Sequence, residues 1–167
     1  MVSLVVIVIM GLGMNLITFS LFGDNPLYCQ GAVENANLAR VIYPEWTARF
    51  YVAQDVPEDY IKEIEDYGAE VVRCEKKNSY DGLNWRFRPL SSLKVHYWIS
   101  RDADSRLSWR ERNAVDEWME SDKSAHLLRD CHNHGFTIMA VMFGINNKLF
   151  HERYGVLNLD NANANYR

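Results

Sequence analysis

Asp102-Ala103-Asp104 sets two carboxylates one residue apart, directly after the apolar stretch Lys94–Ile99. From a loop, two such side chains can reach one hard cation, which takes oxygen ligands. A divalent ion held there would neutralise a diphosphate and ease its departure as a leaving group. A solvated acidic turn has the same appearance, and Asp-x-Asp recurs by chance, so the surroundings decide. Arg101, Arg106 and Arg110 lie close by, and Trp85-Arg-Phe-Arg-Pro89 adds Arg86 and Arg88. Guanidinium forks match phosphate oxygens, although any single arginine more often forms a surface salt bridge. Arg86 and Arg101 are the preferred pair, because aromatic or strand neighbours would hold them still. Trp85 is the tryptophan placed to stack on a sugar or base; the other aromatics read as core and sheet material. His132-Asn133-His134 spells the letters of a nuclease class, but no ββα metal unit accompanies them. They read as loop histidines, with metal or acceptor contact as the minority alternative.

Strands and helices in alternation must position these groups. Leu16–Phe22 is an apolar run ending at Gly23, suited to a buried strand. Asp24-Asn25-Pro26 then reads as a helix start, and apolar residues from Cys29 to Tyr43 follow at helical spacing until Pro44 stops them. Arg49–Val52 is a second strand, Pro57–Tyr67 a helix closed by Gly68, and Glu70–Cys74 a third strand. Lys76–Asn84 reads as a loop and Trp85–Leu90 as a short helix. After the strand Lys94–Ile99, Ser108-Trp-Arg-Glu111 has the capping-box pattern at the head of another helix. Ala125–Leu128 and Thr137–Phe143 are further strand candidates. The alternation predicts an α/β domain with a mostly parallel sheet and helices on both faces. Ligands of such sheets bind beyond the carboxyl ends of the strands, where Gly23 and Asp102–Asp104 both fall.

With 167 residues the chain is long enough for one sizeable core. A net charge of −4 argues against nucleic acid, whose phosphates need a basic surface. Cys29, Cys74 and Cys131 make no Cys-x-x-Cys pair and read as free thiols in a reducing, cytoplasmic setting. Val2–Phe22 carries no charge, but no Lys or Arg precedes it and Gly11-Leu-Gly13 breaks it. Residues 1–13 are therefore set apart as an apolar appendage, with weak membrane contact through residues 2–12 as one role for it. The expected domain runs over 14–145, followed by a polar tail over 146–167.

Taken in order, Phe19-Ser-Leu-Phe-Gly-Asp-Asn-Pro26, Gly31-Ala-Val-Glu-Asn-Ala36, Tyr43-Pro-Glu-Trp46, Arg49-Phe-Tyr-Val52, Trp85-Arg-Phe87, Ile99-Ser-Arg-Asp-Ala-Asp-Ser-Arg106 and Arg110-Glu-Arg-Asn-Ala-Val-Asp-Glu-Trp118 form one set. Together they resemble small GT-A-type glycosyltransferases with an Asp-x-Asp motif, of the sort seen in large viruses and microbes. The resemblance covers about Asn15 to Ile145. It implies a single Rossmann-like GT-A domain that binds a nucleotide-diphosphate sugar through Mn2+ or Mg2+ and transfers the sugar to a carbohydrate or glycan acceptor. By the same resemblance the Ser20–Gly23 turn lines the nucleoside pocket, and Arg86 and Arg101 help hold the donor. Asp102 sits near ribose and metal, and Asp104 binds the metal. Met142-Phe-Gly144 resembles the segment approaching donor sugar and acceptor. After Gly144 the pattern departs from the family, and no catalytic residue is assigned: Glu152 and Asp160 stand in no familiar context, and His132, His134 and His151 are not told apart by spacing. A donor-binding core that binds better than it transfers is the expectation.

Two alternatives remain. Haloacid-dehalogenase-type phosphatases also set two aspartates one residue apart after an apolar strand, the first as nucleophile; here the motif comes late in the chain. A non-catalytic glycosyltransferase relic would bind nucleotide without turnover.

Overall fold

Apolar side chains on both sides of a strand require cover on both faces of the sheet, and the first strand shows this most clearly. The computed structural model describes residues 13–78, 80–129 and 142–157. In β1 (Met14–Leu21) the last six residues are all buried. Ile17, Phe19 and Leu21 face one side, into a cluster with the helix α1 (Pro26–Ile42) and with Ile61, Ile64, Val115 and Trp118. Leu16 faces the other side, with Val95 and Trp98. This two-sided burial explains the uninterrupted apolar run.

The chain then alternates as expected: β2 (Thr47–Ala53), α2 (Glu58–Asp66), β3 (Glu70–Cys74), α3 (Asp81–Asn84), a 3-10 helix (Trp85–Ser91) and β4 (Val95–Ser100). After these come α4 (Trp109–Met119), β5 (Ala125–Leu127), β6 (Phe143–Asn146) and α5 (Asn147–Tyr154). The six-stranded sheet has the order β3-β2-β1-β4-β6-β5, with β1 to β4 parallel and β6 antiparallel to both β4 and β5. It is a single α/β domain with a mostly parallel sheet. Residues of α1, α2 and α4 pack on one face; the 3-10 helix and α5 lie on the other.

Helix starts follow the sequence signals. Asn25 caps α1 by accepting from the Leu27 N–H at 3.0 Å, with Pro26 at the first turn. The Ser108 hydroxyl accepts from the Glu111 N–H, as the capping box predicts.

Three expectations differ from what is seen. The loop expected over Lys76–Asn84 closes with the short helix α3. The strand expected from Thr137 lies mostly outside the described residues, and its described end belongs to β6, which runs on to Asn146. The described part of the polar segment after residue 145 completes β6 and forms α5. There Asn147 is 1% exposed, and its amide bonds the Trp98 indole and the Pro89 and Ser92 carbonyls. A polar composition conceals this role, in which one amide satisfies three partners, two of them buried. Cys29 and Cys74 are buried free thiols; Cys131 and the 1–12 stretch lie outside the described residues. Among the described residues no helix is long and apolar enough to cross a membrane.

Candidate functional site

The strand order reverses between β1 and β4: β2 and β3 lie on one side of β1, and β4 lies on the other. At such a switch point the connections leave in opposite directions and open a crevice at the carboxyl edge. A cleft of about 320 Å3 lies there, lined by Ser20, Leu21 and Phe22 after β1 and by Asp102, Ala103 and Asp104 after β4. Asn25, Tyr28, Leu83 and Arg86 complete it. Four of the six residues expected to bind a donor, Ser20, Arg86, Asp102 and Asp104, therefore share one cavity.

Ser20 is 8% exposed, and its hydroxyl has no hydrogen-bond partner. A buried hydroxyl left unpaired costs free energy, and a ligand in the cleft could remove that cost. Arg86 is also buried. Its carbonyl lies 3.0 Å from the Thr18 hydroxyl, its Nε donates to the Leu83 carbonyl at 3.3 Å, and its Nη1 lies 2.5 Å from Asp102 Oδ1. The 3-10 helix thus fixes a cation at the back of the cleft and ties it to the first aspartate. Asp104 is exposed at the rim.

The aspartate loop is held from behind by α1. The Arg101 N–H donates to the Thr18 carbonyl at 3.0 Å, extending the β1–β4 ladder into the loop. Asn35, fully buried, donates to the Ala103 and Ser105 carbonyls at 3.1 and 2.8 Å and accepts from the Leu107 N–H at 3.0 Å. Arg106 bridges Glu34 and the Ala103 carbonyl. Gly31 leaves room for the loop, since a Cβ there would sit 2.2 Å from the Ala103 carbonyl oxygen. Asn35 and Gly31 were not singled out by sequence reasoning, although both lie in the block Gly31–Ala36. Their role depends on a partner about seventy positions away, as the separation in the Asn35–Ser105 contact shows.

Gly23 does not line the cleft; it shapes it. Its φ of 76° suits glycine, and its N–H donates to Asp55 Oδ1 at 2.8 Å. That hydrogen bond, with Lys76 alongside, holds the Asp55 carboxyl below its ordinary range. Asp55, just beyond β2, is a further residue of this edge that the sequence reading passed over.

Besides Gly23, two further expected contacts are absent from the cleft. Arg101 is 1% exposed and lies outside it, ion-paired to Glu111 through Nε and donating through Nη1 to the Ser100 and Phe143 carbonyls. As the last residue before the aspartates it sends its side chain toward α4 and β6, while Asp102 lines the cleft. Trp85 is buried with Tyr51, Ala53 and Cys74, so it cannot stack on a ligand; Tyr28 and Leu83 supply the apolar surface instead. His151 donates through Nε2 to the Leu90 carbonyl at 2.7 Å and packs near Phe150, away from the cleft residues. His132, His134 and Asp160 lie outside the described residues.

Asp102 and Asp104 offer hard oxygen ligands to a divalent cation. Among the described residues no group of three or more His, Cys, Asp or Glu side chains is placed to hold one. The pair fits a cation whose shell is completed by ligand oxygens, and does not fit a fully protein-bound ion.

No family model matches the sequence, and no curated protein matches it significantly. Solved structures do resemble its fold. The mannosyltransferase PcManGT from Pyrobaculum calidifontis, in complex with GDP-Man and Mn2+, superposes with a TM-score of 0.53 over 87% of this chain and 48% of its own, at 10% identity. The apo-form glycosyltransferase GlyE of Streptococcus pneumoniae TIGR4 gives 0.51 over 84% and 36%, at 17% identity. This chain spans about half or less of their length. The likeness establishes the fold: a Rossmann-like α/β domain of the kind these glycosyltransferases contain.

Proposed function

We propose that this chain is the donor-binding core of a metal-dependent glycosyltransferase. The observation that carries the proposal is the switch-point cleft, where an unpaired Ser20 hydroxyl, a buried Arg86 cation and two carboxylates converge. A nucleoside would lie against Tyr28, Phe22 and Leu83, with its diphosphate toward the aspartate loop. Asp104, with the outer oxygen of Asp102, would hold Mn2+ or Mg2+ against the diphosphate. The bound ion would supply charge neutralisation for a departing nucleoside diphosphate. Arg86 fixes the orientation of Asp102, so the loop is set before ligand arrives. The sugar would pass to a carbohydrate or glycan acceptor, which approaches from the β6 side.

Thermal melting with UDP, GDP and their sugars, each with and without Mn2+, tests this. Nucleotide at 100 times its Kd should add about 2.7 kcal/mol of stability, with metal present. Asp104→Ala should lose that metal-dependent gain. Unchanged donor binding in both Asp104→Ala and Asp102→Ala would remove the assignment.

A further inference from the structure

Behind the aspartate loop lies a second cavity of about 270 Å3, lined by Arg101, Ser105, Arg106, Ser108, Arg110, Glu111, Leu128 and Met142. Of the three guanidinium groups that line it, Arg101 is ion-paired through Nε to Glu111 and Arg106 to Glu34, which leaves Arg110 as the cation without a carboxylate partner among the described residues. Arg101 is 1% exposed, and its Nη2 is buried with no hydrogen-bond partner, so one cationic nitrogen lacks an acceptor. The cavity also receives the head of α4, an 11-residue helix. Its Glu111 N–H is capped by Ser108 and its Arg112 N–H bonds the Ser108 carbonyl, which leaves those of Trp109 and Arg110 without an intrahelical acceptor. Arg110 is exposed and forms no ion pair among the described residues. Helix dipole, free N–H groups, serine hydroxyls and guanidinium forks all favour the same occupant, a tetrahedral oxyanion.

We propose that this second cavity binds a phosphate group. Resting on the glycosyltransferase reading, that phosphate belongs to the acceptor, so the substrate class is a phosphate-bearing acceptor rather than a neutral glycan. The placement gives the reason. Asp102, Ala103 and Asp104 line the donor cleft, while Arg101, Ser105 and Arg106 of the same loop line this cavity. An acceptor anchored by its phosphate would therefore meet the loop from the side opposite the nucleoside. Met142, at the head of β6, forms part of its wall.

Inorganic phosphate is the probe, titrated calorimetrically into the full chain without divalent metal. Binding should weaken about tenfold or more in Arg110→Ala, since a hydrogen bond to a charged group is lost. Saturating UDP or GDP with Mn2+ should leave it intact. An alkyl phosphate should bind as phosphate does, and the matching free alcohol should not. Equal phosphate affinity in Arg110→Ala and the parent, or displacement by the nucleotide, overturns the proposal. If no nucleotide binds but Arg110→Ala still loses phosphate, the anion site stands and its acceptor role falls with the donor reading.

Discussion

Asp102 serves two partners: it neutralises Arg86, which is nearly buried, and it lines the ligand cleft. Asp104, one residue on, is exposed and serves the cleft alone. The two alanine variants should therefore separate. Asp102→Ala leaves the Arg86 charge without its counterion and should cost about 1–2 kcal/mol, less than a fully buried pair because Asp102 itself is partly solvated. Asp104→Ala should alter stability by less than about 0.5 kcal/mol. Melting without ligand checks this, and equal losses would show that Asp102 does not support Arg86. A second prediction concerns His126 on β5, stacked on Trp118 with Nε2 buried and unpartnered. Burial, helped by the Arg101 charge, pushes its pKa down to about 4. The unfolded chain binds the proton more readily, so stability is complete above about pH 6.5 and declines as the pH falls toward 4. His126→Phe should remove about 1–3 kcal/mol of that acid dependence. Denaturant midpoints at pH 7 and pH 4.5 give the comparison; parallel losses in parent and variant would contradict it.

At the scale of elements, α1 is the support of the aspartate loop as well as a cover for the sheet. Asn35 satisfies two loop carbonyls and one loop N–H with a single side chain, and Gly31 allows the close approach. Asn35→Ala should destabilise the protein by about 2–3 kcal/mol, because it leaves buried groups unpaired. Gly31→Ala should force the loop outward, for a Cβ cannot stand 2.2 Å from a carbonyl oxygen. Although neither residue touches the cleft, both variants should weaken metal-dependent nucleotide binding. Wild-type affinity in a folded Gly31→Ala protein would mean that the loop tolerates displacement. The two substitutions lie on one helix and share Ala103 as a contact, so their effects should not add.

For the whole molecule, the sheet over the described residues starts at β1. β1 begins at Met14, whose N–H donates to the Lys94 carbonyl at 3.0 Å and whose side chain packs against the cluster of Leu16, Val95 and Trp98. A chain starting at Met14 should keep a cooperative melt and its nucleotide affinity. Aggregation or loss of the transition would assign Val2–Leu12 to the core or to an anchor. α5 carries a different expectation: Asn147→Ala removes the partner of two buried groups and a part-buried one, and should lower the melting temperature clearly, by several degrees.

Local rules sufficed for much of this protein. Apolar runs marked β1 to β4, Asn25 and Ser108 announced their helices, and alternation implied a parallel sheet, because periodicity and capping act over a few residues. The same rules placed Gly23, Asp102 and Asp104 beyond strand ends on one edge, whereas Ser20 was named by resemblance and Arg86 by its aromatic neighbours. What they could not decide was direction and partnership. Arg101 and Asp102 are adjacent, yet the first is buried against Glu111 and the second lines the cleft; that division follows from α4 packing on β4, a contact between separate elements. Trp85 looked like a stacking residue until β2 and β3 enclosed it. Asn35, Gly31 and Asn147 carried no local signal, since each acts on backbone groups brought to it by the crossing of the chain. Strand order, the switch point between β1 and β4, and the two cavities on either side of one loop belong to the tertiary structure alone, where burial over the whole sheet selects a single arrangement among locally equivalent ones.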